Sequence, residues 1–193
     1  MGHELRIAVV CASNMNRSME AHSFLSKQGY KVKSYGTGDK VKLPGPSIDK
    51  PNVYEFGTPY DKIYKDLKSK DPNMYTQNGL LNMLDRNRRL KDHPEKFQLT
   101  EDEFDVIFTV EERVFDHVVE FMESREKKGC TPVHVINIDV EDNHEEATIG
   151  AFLIRDLVDL MASCDDLDND IDDLLQDFES TCKRSILHCV QFY

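Results

Sequence analysis

"RIAVVCASNMNRSMEAH" (Arg6–His22) decides the architecture. Arg6–Cys11 is a short run of β-branched and small apolar residues, the pattern of a strand buried on both faces. It ends on a cysteine. Five small or polar positions later comes Arg17, and from Ser18 onward Met19, His22, Phe24 and Leu25 recur at helical spacing until Gly29 stops the helix. A buried strand, a tight loop and a helix in that order form the first half of a parallel crossover unit.

The rest of the chain repeats the alternation. "KVKSYGTG" reads as a second strand ending in a glycine-rich turn, and "FDVIFTV" and "PVHVINIDV" as the third and fourth. Helices are expected around 59–69 and 78–91, through "EERVFDHVVEFME", through "EEATIGAFLIRDLVDLMASC" and through the acidic "DDLDNDIDDLLQDFEST". "RSILHCVQFY" is expected as a last edge strand. The basic cluster "DRNRRLK" reads as a solvated helix face. Strands separated by helices predict an α/β chain in three layers, a doubly wound and mostly parallel sheet flanked by helices. The expected organisation is one domain over 1–193, with "VKLPGPSIDKP" (41–51) as a stiff, exposed, proline-rich flap.

Composition narrows the function. The 193 residues are 39% apolar and 31% charged, which suits a globular protein, and the formal net charge is -12. That charge argues against direct nucleic-acid or anionic-membrane binding, because both need a positive field. An anionic substrate must then be held by a few fixed donors. The five cysteines lack paired spacing, which suits a reducing, intracellular compartment. No signal peptide or membrane-spanning run is expected. Cys130 with His134, and Cys182 with His188 and Cys189, lack the spacing of a zinc site, so they read as packing residues and no metal or cofactor is expected.

In an open sheet of this kind the ligand sits beyond the carboxyl ends of the strands. Cys11 stands at such an end. The loop Ala12, Ser13, Asn14, Met15, Asn16 turns backbone N–H groups inward, and the helix start adds partial positive charge. That cradle suits a phosphate, with the Arg17 guanidinium clasping two of its oxygens. With no ligand bound, the same field favours a thiolate at Cys11. Ser18 can donate to the sulfur or cap the helix. Asn14 and Asn16 tolerate left-handed backbone and tie the loop together. Cleaving a phosphate ester also needs an acid for the departing oxygen. After the fourth strand, Asp142 in a polar loop and Asp139 nearer the strand are the candidates. Asp142 and Asn143 each have a glutamate three residues on, so capping and catalysis stand even for Asp142 at this point. His144 reads as loop packing.

"VVCASNMNRSMEAH", "SYGTG", "VKLPGP", "YTQNG", "MLDRN" and "DNHEEATIGAFL" together resemble the RNA polymerase II C-terminal-domain phosphatases of the Ssu-seventy-two family, relatives of the low-molecular-weight protein tyrosine phosphatases. The resemblance runs from Arg6 to Tyr193. It implies a low-molecular-weight phosphatase-like fold and removal of phosphate from the fifth-position serine of the polymerase tail heptad, with the following proline cis. It implies a nuclear protein of the pre-mRNA cleavage and polyadenylation assembly, bound to the scaffold symplekin. It carries the nucleophile to Cys11, the phosphate-binding arginine to Arg17 and the general acid to Asp142, and it suggests that Lys42, Leu43, Pro44, Tyr75 and Met83 line a peptide groove. The small tyrosine phosphatases pair their acid with proline and tyrosine. Asn143 and His144 follow Asp142 here, which removes an aromatic wall. Two rival readings stand beside this one: a tyrosine phosphatase or thiol-dependent arsenate reductase on the same fold, and a phosphopeptide-binding scaffold subunit without turnover.

Overall fold

Strand β1 (Arg6–Cys11) lies inside a five-stranded sheet in the computed structural model, which describes residues 4–193. The first three positions of the expected 1–193 domain lie outside the described residues. Helix α1 (Arg17–Lys27) returns the chain to β2 (Lys31–Gly36), which pairs in parallel with β1. After a long excursion, β5 (Val106–Thr109) pairs with the other side of β1, and α5 (Glu112–Ser124) leads to β6 (Pro132–Ile138), again parallel. Helices α6 (His144–Ala162) and α7 (Leu167–Cys182) follow, and β7 (Ile186–Phe192) closes the edge antiparallel to β6. The order β2-β1-β5-β6-β7 reverses between β1 and β5, so the crevice favoured by ligands opens beside Cys11.

Alternation along β1 explains why its sequence is apolar throughout. Ile7, Val9 and Cys11 face a core shared with α1, α6 and α7, whereas Ala8 and Val10 face the layer built on α5. Both faces are covered, so no position is left for a polar residue.

The excursion between β2 and β5 forms a third apolar cluster beside the sheet. It contains β3 (Val41–Leu43), β4 (Asn52–Tyr54), α2 (Tyr60–Lys70), α3 (Pro72–Gln77) and α4 (Leu80–Leu90). Ile63, Leu67, Leu81 and Leu84 bury against Met15 and Met19, so this cluster grips the loop after β1. The expected flap is in fact the tip of a hairpin, with Val41 opposite Tyr54 and Leu43 opposite Asn52. Val41 and Leu43 point inward and Lys42 outward, but three residues are too few for the alternation to stand out against the neighbouring prolines. Helix α3 was not expected. Asp71 caps it by accepting from the Met74 N–H at 3.1 Å, and Pro72 sits at its first position.

Helix α1 buries His22, whose Nδ1 lies 2.8 Å from Ser34 Oγ. Burial, helped by the positive charge of Lys91, pushes its pKa down to about 4. The folded protein therefore refuses a proton that the unfolded chain accepts near pH 6.5. Stability present above pH 6.5 is expected to fall by up to roughly 3 kcal/mol as the pH drops toward 4, and His22→Gln should remove that part of the acid sensitivity in urea unfolding curves.

Candidate active site

The loop joining β1 to α1 is wrapped around one sulfur atom. Cys11 is 3% exposed, and its Sγ accepts from the Asn14 N–H at 3.2 Å and lies 3.0 Å from Ser18 Oγ. Asn14 reaches back to the sulfur because its φ is 55°, a left-handed conformation that asparagine tolerates. Its side chain then becomes the keystone of the loop. Nδ2 donates to Ser18 Oγ at 2.9 Å, while Oδ1 accepts from Lys91 Nζ at 2.7 Å and from the Glu95 N–H at 3.0 Å. The Tyr60 hydroxyl holds the Asn14 carbonyl at 2.7 Å. The turn after β2 supports the other side, with Thr37 N–H donating to the Cys11 carbonyl and Gly38 N–H to that of Ala12. Gly36 has to be a glycine, since a Cβ there would stand 2.6 Å from the Ala12 carbonyl oxygen.

Arg17 opens α1 beneath this loop and is 6% exposed. Its Nη1 donates to Glu111 Oε2 and to the Val140 carbonyl, both at 2.9 Å. Burial alone would lower its pKa, but the charges of Cys11, Asp142 and Glu111 outweigh burial and raise it, so the guanidinium stays charged. Its Nε is buried and has no hydrogen-bond partner among the described residues. A buried donor left unmade costs about 1–3 kcal/mol, so the site is built for an acceptor that arrives from outside.

Asp142 stands on the rim, with Oδ1 accepting from Asn16 Nδ2 at 2.9 Å and lying 3.8 Å from Arg17 Nε. The cap of α6 is Asn143, whose side chain accepts from the Glu146 N–H at 2.8 Å, so Asp142 is not the capping residue. Asp139 turns away and accepts from Asn137 Nδ2. Ser18 lies inside the first turn of α1 and is fully buried, so its hydroxyl serves the sulfur and does not cap the helix.

A groove of about 260 Å³ opens above Cys11. Lys42, Leu43 and Pro44 from the hairpin form one wall, and Leu80 and Met83 of α4 form the opposite one. Ala12, Ser13, Met15, Asn16 and Arg17 form its floor, under Asp142, Asn143 and His144. Lys42 N–H donates to Ser13 Oγ at 3.2 Å, tying the hairpin to the loop. His144 Nε2 meets the Asn78 carbonyl at 2.9 Å, a packing contact across the groove's end.

Two expected site residues are placed differently. Asn14 does not line the groove, because its N–H is directed at the sulfur and its side chain is buried behind the loop. Tyr75 is 1% exposed beneath the hairpin, where its hydroxyl accepts from Asn52 Nδ2, which also donates to the Pro44 carbonyl. Its influence on the groove passes through Asn52.

The basic cluster also departs from expectation. Arg88 and Arg89 face solvent-side carboxylates, but Arg86 reaches the Met15 carbonyl and Glu20, and Asn87 Nδ2 donates to the Met15 carbonyl at 2.8 Å. Burial lowers the pKa of Arg86, partly offset by Glu20. These polar groups are buried because the loop's outward carbonyls need donors. Asn87, Tyr60, Lys91 and Glu111 carried no local signal; a buried asparagine amid arginines was the only hint.

A family model described as "Ssu72-like protein" matches residues 5–193. The chain is 60% identical over 189 residues to the RNA polymerase II C-terminal domain phosphatase SSU72 of Gallus gallus, covering 98% of this chain and 97% of the relative. The Homo sapiens protein of the same name gives the same identity and coverage. A solved structure of D. melanogaster Ssu72 and symplekin, bound to a cis peptidomimetic CTD peptide phosphorylated on its fifth-position serine, superposes with a TM-score of 0.96 at 62% identity, covering 98% of this chain and 99% of that one.

Gly36→Ala should push the Ala12 carbonyl out of the cradle. Overpacking of this kind costs about 1–3 kcal/mol, so vanadate affinity measured by calorimetry is expected to fall at least about tenfold while the far-ultraviolet spectrum is kept.

Proposed function

The chain belongs to the Ssu72-like family, and from that premise we propose that it removes phosphate from the fifth-position serine of the RNA polymerase II C-terminal-domain heptad by way of a phosphocysteine. The observation that carries this reading is the pairing of a buried sulfur with a buried, charged Arg17 whose Nε has no hydrogen-bond partner among the described residues. A phosphate lying on the sulfur would satisfy that nitrogen.

The Cys11 thiolate attacks phosphorus in line with the departing serine oxygen, so a P–S bond forms as the P–O bond breaks. Amides of the 12–17 loop other than that of Asn14, together with Arg17, hold the three equatorial oxygens and offset their charge in the transition state. Ser18 and the Asn14 N–H stabilise the sulfur before attack and again when it becomes the leaving group. Protonated Asp142 gives its proton to the serine oxygen. As carboxylate it then takes a proton from the water that cleaves the P–S bond, releasing inorganic phosphate and restoring the thiolate.

The groove selects the peptide. Leu43 and Pro44 facing Leu80 and Met83 form an apolar slot suited to a compact serine–proline turn, and Tyr75 through Asn52 sets the height of the hairpin wall. Asn143 and His144 leave that end without a tyrosine ring to stack on phosphotyrosine, and the His144 imidazole is engaged with the Asn78 carbonyl. We place the protein in the nucleus, acting with symplekin and the cleavage and polyadenylation assembly, the whole chain working as one phosphatase domain with its hairpin as a groove wall.

Cys11→Ser is expected to lower phosphate release from a heptad phosphopeptide by at least about 10⁴-fold while keeping peptide binding. Undiminished function in that variant would make the protein a scaffold. Asp142→Asn should cost roughly 10²–10⁴-fold in kcat with little change in KM. Paired phosphoserine-proline and phosphotyrosine peptides, with a trans-locked analogue, test the substrate class; faster release from phosphotyrosine would reassign it.

A further inference from the structure

Lys91 stands at the end of α4 on the side of the loop away from the groove, and its ammonium reaches into the loop at Asn14. Its three N–H bonds reach Asn14 Oδ1 at 2.7 Å, the Ser34 carbonyl at 2.7 Å and Glu95 Oε2 at 2.8 Å. Its side chain is 14% exposed, and Tyr35 lies across its outer side, with the ring centroid 5.7 Å from Nζ. The neighbouring His22 is held neutral, so it adds no second charge. Burial lowers the pKa of Lys91, while Glu95 and the Cys11 charge pull it back up.

The contact with Asn14 has a direction. Lys91 Nζ and the Glu95 N–H are donors only, so the Asn14 atom they share is the carbonyl oxygen, and the amide nitrogen is left pointing at Ser18. Ser18 Oγ then accepts from Asn14 Nδ2 at 2.9 Å, and its own hydrogen has Cys11 Sγ, 3.0 Å away, as its remaining partner. The chain runs one way, from a cation through an amide and a hydroxyl to the sulfur. A charged donor at its head polarises every later bond. Of the donors on Oδ1, which are Lys91, the Glu95 N–H and, at 3.4 Å, the Tyr60 hydroxyl, Lys91 alone brings charge.

We propose that Lys91 is a positioning residue for the nucleophile: by anchoring and polarising the Asn14 amide it turns the Ser18 hydroxyl hydrogen onto the Cys11 sulfur and holds it there. This rests on the reading of Cys11 as the attacking group. A positioning role of this kind acts on the sulfur through Ser18, and not on the groove that binds peptide.

The test is a double-mutant cycle on the full chain, with phosphate release from a heptad phosphopeptide and iodoacetamide alkylation of Cys11 at pH 6 as readouts. Lys91→Met is expected to lower kcat and the alkylation rate about tenfold with KM within twofold. Lys91→Gln, which keeps a donor without the charge, should fall between it and the parent. In a Ser18→Ala background the Lys91 substitutions should cost less than twofold more, because the path to the sulfur is already cut. Full, additive loss in that background, or unchanged kcat and alkylation in Lys91→Met, overturns the proposal. If Lys91→Met does not fold, Lys91→Gln carries the same cycle. The Cys11→Ser control separates the two ideas: its inactivity with a silent Lys91 sinks only this inference, and its activity sinks the reading beneath it.

Discussion

A sulfur buried at the end of a strand is met by polar donors from the loop that follows it, and much of the structure around the groove holds those donors in place. The Asn14 N–H and Ser18 hydroxyl supply two contacts, and Arg17 supplies charge from below. None of these holds its position alone. Asn14 is kept in its left-handed conformation by partners from α2, from the end of α4 and from the segment after it. Burial, followed by the Cys11 charge, keeps the Tyr60 phenol from ionising, so it remains a donor to the Asn14 carbonyl. The helical layer beside the sheet is therefore the outer half of the anion site as much as a wall for peptide.

This division also explains what was legible in the sequence. Strand β1, the loop and α1 are local, and both the apolar alternation and the Cys-to-Arg spacing lie within a few residues, so their arrangement followed directly. The three-layer, doubly wound sheet followed from the strand–helix rhythm, and β7 was expected at an edge. The outer half of the site was not legible. Lys91 and Arg86 look the same in sequence whether they meet water or a buried carbonyl, and only the long-range pairing of the loop with α4 makes the difference. Tyr75 was placed in the groove by resemblance, whereas packing puts it one side chain behind.

Net charge and local charge act in opposite senses here. The chain carries -12 overall, so the field at a distance repels an anionic peptide. Attraction begins only where Lys42 and Arg17 meet the groove, and Glu111 and Asp142 already balance part of Arg17. A phosphate has to be recognised by fit within the cradle, since long-range steering works against it.

Asp142 is tied to the same loop. Helix α6 packs along α1, with Ala151 and Ile154 against Ala21 and Leu25 and with Phe24 and Phe152 rings 4.8 Å apart. The start of α6 is capped by Asn143, so the residue before it is delivered to the rim at the level where α1 begins. Asn16, the last loop residue before Arg17, then takes hold of Asp142 Oδ1. Cys11, Arg17 and Asp142 thus hang from three adjacent element ends, and Asn16 and Arg17 both tie the loop and helix start to Asp142. Asp142 itself stays 65% exposed. Cys11 and Asp142 thus share one loop but not one environment: the sulfur is buried behind donors, and the carboxylate stands at the water's edge.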